Sequence, residues 1–275
     1  MCSIFAIFDI DGDLDALRQV ALRQSRLMRH RGPDWSGIHT CEGAILAHER
    51  LAIVDINTGA QPLFSPDGKQ SLAVNGEIYN HRTLRKLLTG DYAFATESDC
   101  EVILPLYLEK SSEFLNDLHG MFAFVLYDEH KKQYLIARDP IGISPLYYGF
   151  DDEHRLYVAS EMKALVDVCN VVLEFPPGHY LKSGEEGPKQ YYQRPWQDFE
   201  AVENAQTSVK AVGEALEKSV ISHLMTDLPY GVLFSGGLDS SIIAAITHKH
   251  ASMRVEDQEQ SAARWPRLHT FAVGL

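Results

Sequence analysis

The chain has 275 residues, 45% of them apolar and 23% charged, so one large or two ordinary domains with packed cores are expected. Its 25 Lys and Arg against 38 Asp and Glu leave a formal net charge of −13. That balance argues against nucleic-acid binding and an anionic membrane surface, though not against a nucleotide held by backbone amides. The four cysteines (Cys2, Cys41, Cys100 and Cys169) show neither C-x-x-C nor regular spacing, so neither a disulfide framework nor a structural zinc site is predicted. With no basic leader before the apolar residues 2–8, and no apolar run near the length of a membrane span, a soluble, cytoplasmic setting is expected.

Residues 3–8 read as a strand, followed by helical spacing at Leu17, Val20, Ala21, Leu27 and Met28. Strand-type runs at 44–48 and 71–75 precede a second helix carrying Leu84, Leu87 and Leu88, with Asn80 as its N-cap. A third helix is predicted from Asp99 through Val102, Ile103, Leu106 and Tyr107. Pro105 costs about 3 kcal/mol in a helix interior and so predicts a kink or a late start there. Runs 121–128 and 133–138 form a hairpin across 129–132, and another strand covers 156–160. Hairpin-linked strands interspersed with helices favour antiparallel α+β layers over a parallel sheet.

Residues 193–204 are polar and read as a linker. An amphipathic helix (Val209, Val212, Leu216, Val220, Leu224) follows, then a strand at 230–234, a glycine-rich turn, a helix at 239–250 and a strand-like run at 269–273. This is the opening of a βαβ fold with too few strands for a finished parallel sheet, so a second domain that is cut short is expected. The acidic run 256–260 reads as a solvated connection, and His248 with His250 as a surface pair.

Cys2 directly follows the initiator. Trimming of Met1 leaves a terminal cysteine whose α-amine, with an ordinary pKa of about 8, can take the thiol proton without a histidine. An inert buried cysteine is the plain alternative at this position. Its companions favour chemistry: Arg50 ends one strand-like run, Asn75-Gly76-Glu77 ends another, and Asp99 opens a helix. A thiolate attacking an amide needs fixed N–H donors for the oxyanion, which an Asn side chain and a Gly backbone can supply. An amino-acid substrate needs a cation such as Arg50 for its carboxylate and anions such as Glu77 and Asp99 for its ammonium.

Cys2-Ser3-Ile4-Phe5, Arg29-His30-Arg31-Gly32-Pro33-Asp34, His48-Glu49-Arg50-Leu51, Asn75-Gly76-Glu77-Ile78-Tyr79-Asn80 and Ser98-Asp99 together resemble class II glutamine amidotransferases. These are N-terminal-nucleophile enzymes with an αββα sandwich of antiparallel sheets. Asp117-Leu118-His119-Gly120-Met121-Phe122, Arg138-Asp139 and Ser160-Glu161-Met162-Lys163-Ala164-Leu165 narrow the resemblance to glutamine-dependent asparagine synthetases of the bacterial B type. The resemblance implies that Cys2 forms the γ-glutamyl thioester, that Asn75 and Gly76 build the oxyanion hole, and that Arg50 binds the glutamine carboxylate. It further implies that Glu77 and Asp99 bind the amine and that Leu51 and Ile53 line the pocket. It gives His30 a structural place, and Ser3 stands where many members carry Gly.

Ser235-Gly236-Gly237-Leu238-Asp239-Ser240-Ser241 lies between strand and helix and contains no Walker A lysine. It resembles the pyrophosphate loop of ATP pyrophosphatases, which have an α/β, Rossmann-like fold. That resemblance implies adenine contacts from Leu233 and Val273, pyrophosphate held by Ser235, Gly236, Gly237 and Ser240, and Mg²⁺ on Asp239. An acidic partner for the helix dipole explains Asp239 equally well. The expected layout is an amidotransferase domain over 1–195 and an incomplete synthetase domain over 205–275.

The implied whole reaction hydrolyses glutamine and passes ammonia internally to aspartate, activated with ATP and Mg²⁺ as β-aspartyl-AMP. A homodimer is compatible with it. This chain alone is expected to retain at most glutamine hydrolysis. Three alternatives stay open: another class II amidotransferase with a different acceptor, a β-lactam-forming relative without glutaminase function, and a non-catalytic glutamine-binding module.

Overall fold

The computed structural model describes residues 1–252 and 267–273; the acidic run 256–260 lies outside them. The chain divides into two units, Met1–Gln193 and Arg194–Leu275.

In the first unit the strands are β1 (Ser3–Phe8), β2 (Trp35–Cys41), β3 (Ala44–Arg50), β4 (Leu63–Phe64), β5 (Gln70–Ile78), β6 (Gly120–Asp128), β7 (Gln133–Arg138), β8 (Tyr147–Phe150), β9 (Leu156–Ala159), β10 (Val171–Glu174), β11 (His179–Lys182) and β12 (Lys189–Gln190). They make two six-stranded sheets, ordered β10-β8-β9-β1-β3-β2 and β12-β11-β7-β6-β5-β4. Every pair in both is antiparallel. The helices are α1 (Leu14–Arg26), α2 (His81–Leu87) and α3 (Ile103–Lys110).

Side-chain alternation along the strands sorts the core into three layers. Ile4, Ala6 and Phe8 of β1, Ala44 and Leu46 of β3, Ala73 of β5 and Ala123 and Val125 of β6 fill the space between the sheets. Phe5 and Ile7 turn the other way, onto Leu17 and Ala21 of α1. Leu72 and Val74 of β5, with Phe122, Phe124 and Leu126 of β6, pack beneath Ile103 and Leu106 of α3. A strand covered on both faces reads as a continuous apolar run, which is why residues 3–8 lack alternation. The αββα expectation holds, including the hairpin of β6 and β7.

Two local expectations change. Residues 99–102 form a 3-10 turn, and the α-helix begins only at Ile103. Pro105 thus falls in the first helical turn, where no N–H is needed. Asn80 precedes α2 but makes no side-chain cap. Its amide instead donates to Asp117 O at 2.9 Å and accepts from His119 N at 3.0 Å, tying the end of β5 to the approach to β6. By contrast, α1 is capped by Asp13, whose carboxylate accepts from the N–H groups of Asp15 and Ala16.

In the second unit, α4 (Phe199–Val202) and α5 (Val209–Ser222) precede β13 (Gly231–Leu233), α6 (Leu238–His250) and β14 (His269–Phe271). β13 and β14 pair in parallel, Val232 opposite Thr270. Glu217 of α5 accepts from Lys249 at 2.6 Å and bonds His250 at 2.8 Å, so His250 ties two helices together rather than standing as a bare surface residue. Among the described residues no helix is long and apolar enough to cross a membrane.

Candidate active site

Strand parity gathers the site. Cys2 precedes Ile4 by two residues, so it shares that strand's inter-sheet face. Arg50 shares the face of Leu46, and Asn75 and Glu77 that of Ala73. Cys2 and Arg50 reach the same end of the first sheet, because Ser3 lies opposite Glu49 at the beginning of β1, and Asn75 and Glu77 of the second sheet meet them there. They line one cleft together with Leu51, Ile53, Gly76 and Asp99. The cleft opens to solvent, and the empty space in it and in front of its mouth amounts to about 490 Å³.

Leu51 N–H donates to Cys2 Sγ at 3.3 Å. Burial pushes the thiol pKa up, while that hydrogen bond, the terminal ammonium and Arg50 pull it down. The nucleophile's backbone is fixed by Arg31, whose Nε donates to Cys2 O at 3.0 Å and whose Nη1 pairs with Glu161 at 3.1 Å. His30 joins the same Glu161 at 3.2 Å and is exposed, outside the cleft.

Asn75 is fully buried, and neither its side-chain Nδ2 nor its Oδ1 has a hydrogen-bond partner among the described residues. A buried polar group left in that state costs about 1–3 kcal/mol, so the amide is held ready at the expense of stability. Gly76 stands opposite Phe122 on β6. The N–H and C=O of Phe122 turn toward Asp139, on the far side of β6. Gly76 therefore directs its own N–H away from β6, along the edge where Val74 N–H donates to Gln61 at 2.6 Å and Ile78 N–H to Asp99 at 2.7 Å. A Cβ at residue 76 would strike Met121 O and Phe122 Cα, so this strand crossing requires glycine.

The charged ends of the cleft are built from distant loops. The Arg50 guanidinium donates to the carbonyls of Val54 at 3.2 Å and Ile56 at 3.3 Å, which wraps the loop after β3 around it. Asp34 anchors the same loop by accepting from Ala52 N at 2.9 Å. Asp55 reaches across to Glu97 N at 2.9 Å, and Arg85 holds Ser98 O at 2.8 Å. Together they place Asp99. Burial pushes Asp99 up to about 6, and burial together with the Asp99 charge pushes Glu77 up to about 7.

Gln61, Ser98, Cys100 and Met121, to which the sequence motifs assign no role in the site, also line the cleft. Ser98 was visible beside Asp99, but Gln61 and Cys100 carry no local signal. Burial holds the Cys100 thiol well above its ordinary pKa. Asp139, named within a motif, is structural: its buried carboxylate accepts from the N–H groups of Phe122, Ile141, Ile143 and Ser144 at 3.0–3.3 Å.

In the second unit Gly237 caps α6, and Gly236 has φ +81°, which suits glycine. Ser235 Oγ and Ser240 Oγ lie 3.0 Å apart across the turn. Asp239 is in the first helical turn; Leu233 is exposed at the end of β13, and Val273 is exposed two residues beyond β14, which ends at Phe271 rather than running to 273.

Two facing antiparallel sheets between helices, with a cysteine opening the first strand, define the fold of the N-terminal-nucleophile amidotransferases. Two solved structures share it: glutamine phosphoribosylpyrophosphate amidotransferase from B. subtilis complexed with ADP and GMP (TM-score 0.54, 23% identity, 90% of this chain and 64% of that one), and the allosteric regulatory enzyme of purine biosynthesis (TM-score 0.57, 24% identity, 89% and 62%). The chain belongs to the glutamine amidotransferase domain family, whose model matches residues 1–196. Residues 211–275 match the asparagine synthase family.

Curated relatives include asparagine synthetase B (glutamine-hydrolyzing) of Escherichia coli K12, 62% identical over 275 residues, covering all of this chain and 50% of the relative. Probable glutamine-hydrolyzing asparagine synthetases of Schizosaccharomyces pombe (49% identical, all of this chain, 51% of the relative) and Dictyostelium discoideum (47%, all of this chain, 50%) also match. The chain spans about half the length of these relatives.

Proposed function

We propose that this chain is the glutamine-hydrolysing half of a cytoplasmic, glutamine-dependent asparagine synthetase, with the amidotransferase domain over residues 1–195 and the opening of the synthetase domain over 205–275. The observation that carries the reading is the convergence of a terminal-type cysteine, an unpartnered buried amide, one guanidinium and two carboxyls in one cleft. Removal of Met1, which itself lines the cleft, frees the Cys2 amine. That amine accepts the thiol proton, and sulfur attacks the side-chain carboxamide of glutamine. Asn75 Nδ2 and the Gly76 N–H receive the oxyanion. Ammonia leaves with a proton from the amine, and water hydrolyses the γ-glutamyl thioester to glutamate. Arg50 takes the substrate carboxylate, and Glu77 and Asp99 the ammonium.

In the second unit, the open turn 235–237 and the start of α6 suit a pyrophosphate group. ATP bound there would meet Ser235, Gly236, Gly237 and Ser240, with Leu233 and Val273 toward adenine. Asp239 offers one carboxylate to Mg²⁺, which is commonly held by one or two carboxylates and the nucleotide's own phosphates. Magnesium would supply charge neutralisation. Aspartate as the ammonia acceptor rests on the likeness to the synthetases named above.

The direct test is release of equimolar glutamate and ammonia from glutamine by the 275-residue chain, with the intact mass measured on the same sample. Turnover with Met1 absent is expected. No turnover by trimmed protein, or turnover by protein retaining Met1, overturns the reading.

The acid pair also sets a pH dependence. Both folded pKa values are raised, so ionising these groups opposes folding, and the free protein loses stability as pH rises toward 7. Glutamine needs the ionised forms, and its ammonium relieves their repulsion. Its KM is therefore expected to rise steeply below about pH 6, and the thermal shift it produces should be larger at pH 8 than at pH 5.5. A KM that stays flat down to pH 5 excludes Glu77 and Asp99 as the ammonium site.

A further inference from the structure

Five residues along β3 separate Glu49, near Cys2, from Ala44, which is about 17 Å of extended chain. At that far end three side chains of metal-ligating type converge. β2 places His39 and Cys41 two residues apart on its inter-sheet face, where Cys41 packs against the core. Glu129 comes from the turn between β6 and β7 of the opposite sheet. One donor atom from each lies within 4.8 Å of the other two.

The donors are available. His39 Nε2 is buried without a hydrogen bond among the described residues, and Glu129 Oε1 stands 3.6 Å from it, beyond hydrogen-bond reach. The imidazole is held edge-on to Phe64, ring centroids 4.9 Å apart. Lys69 Nζ takes the other carboxylate oxygen, Oε2, at 3.0 Å, which leaves Oε1 turned to the histidine. Cys41 makes a long contact to Ala44 O at 3.6 Å. Burial, then the Glu129 charge, hold its thiol up at about 12. A metal ion binds the thiolate, so its binding there would release the thiol proton to solvent.

We propose that His39, Cys41 and Glu129 form a site for a borderline-soft divalent transition metal, Zn²⁺ by its donor set, that clips the edge of the first sheet to a turn of the second. One nitrogen, one sulfur and one oxygen donor disfavour Mg²⁺ and Ca²⁺, and three protein ligands with a water complete a tetrahedron. Zinc bonds of about 2.0–2.3 Å require the three atoms to draw in by roughly 1 Å, within side-chain adjustment. Lys69 remains as an outer partner orienting the carboxylate. Far from Cys2, the ion is structural. No sequence spacing announces it, because Glu129 reaches it only through the stacking of the sheets.

The test uses the full chain carrying Cys2→Ala, which removes the thiol of the cleft, with Co²⁺ as the spectroscopic probe and Zn²⁺ as competitor. One equivalent of Co²⁺ is expected to give a sulfur-to-cobalt charge-transfer band that Zn²⁺ displaces, and Zn²⁺ should raise Tm. Cys41→Ser should abolish the band. His39→Ala and Glu129→Gln should each weaken cobalt binding at least about tenfold, the loss that even outer-shell changes produce. Absence of the band, a band surviving Cys41→Ser, or affinity unchanged in both His39→Ala and Glu129→Gln overturns the site. Should the Cys41 variant not fold, the other two affinities decide.

Discussion

Cys2→Ala is expected to lower ammonia release from glutamine by at least about 10⁴-fold while leaving glutamine affinity within a few-fold, since loss of a nucleophile removes the covalent path itself. Binding should persist because Arg50, held by the Ile56 carbonyl, and Asp99, held by Ile78 N–H, are placed by contacts that do not involve the Cys2 sulfur. The thiol's own contacts are to Leu51 N and Leu51 O. Calorimetric titration of glutamine into both proteins separates the two effects. Residual turnover near the wild-type rate would remove Cys2 from the mechanism. A variant that no longer binds glutamine would mean that sulfur shapes the pocket rather than reacting in it.

Contiguous motifs made much of this cleft readable. Asn75, Gly76 and Glu77 are neighbours, and their chemistry is suggestive before any fold is known. Parity then sends Asn75 and Glu77 to one face and turns the Gly76 backbone along the edge. Antiparallel α+β layers were legible because apolar runs such as 3–8 and 121–128 alternate with turn signals and hairpin connections favour them over a parallel sheet, while the αββα order came from the family resemblance. What remained hidden depends on contacts far apart in the chain. Arg31 reaches Cys2 O only because the loop after α1 folds under β1, and Gln61 meets Val74 N across a different crossing. Asn80 looked like a helix cap because its type and position suit one, yet Asp117 and His119 offered its amide both a donor and an acceptor. The raised pKa values of Glu77 and Asp99 need burial, which residue order does not specify.

Asn75→Ala tests whether the unpartnered amide serves the transition state. Its Nδ2 and Oδ1 are buried without hydrogen bonds, so truncation removes a desolvation cost of about 1–3 kcal/mol while opening a small cavity. Those effects oppose each other, and the melting temperature should change little. Catalysis should not be so forgiving. Loss of one oxyanion-hole donor typically lowers kcat by about 10²–10³-fold, and KM should stay nearly constant because the donor acts mainly on charge that develops after binding. Asn75→Asp is expected to be as defective or worse, since it keeps the size but replaces the donor with an acceptor that repels the oxyanion. A structural asparagine predicts the opposite pattern: a lower Tm in the alanine variant, with kcat within about threefold of wild type in the protein that remains folded. Steady-state kinetics across glutamine concentration, with melting curves on the same preparations, distinguish the two. If kcat holds while Tm falls, Asn75 belongs to the packing between the sheets, and the Gly76 N–H must receive the oxyanion with some other donor.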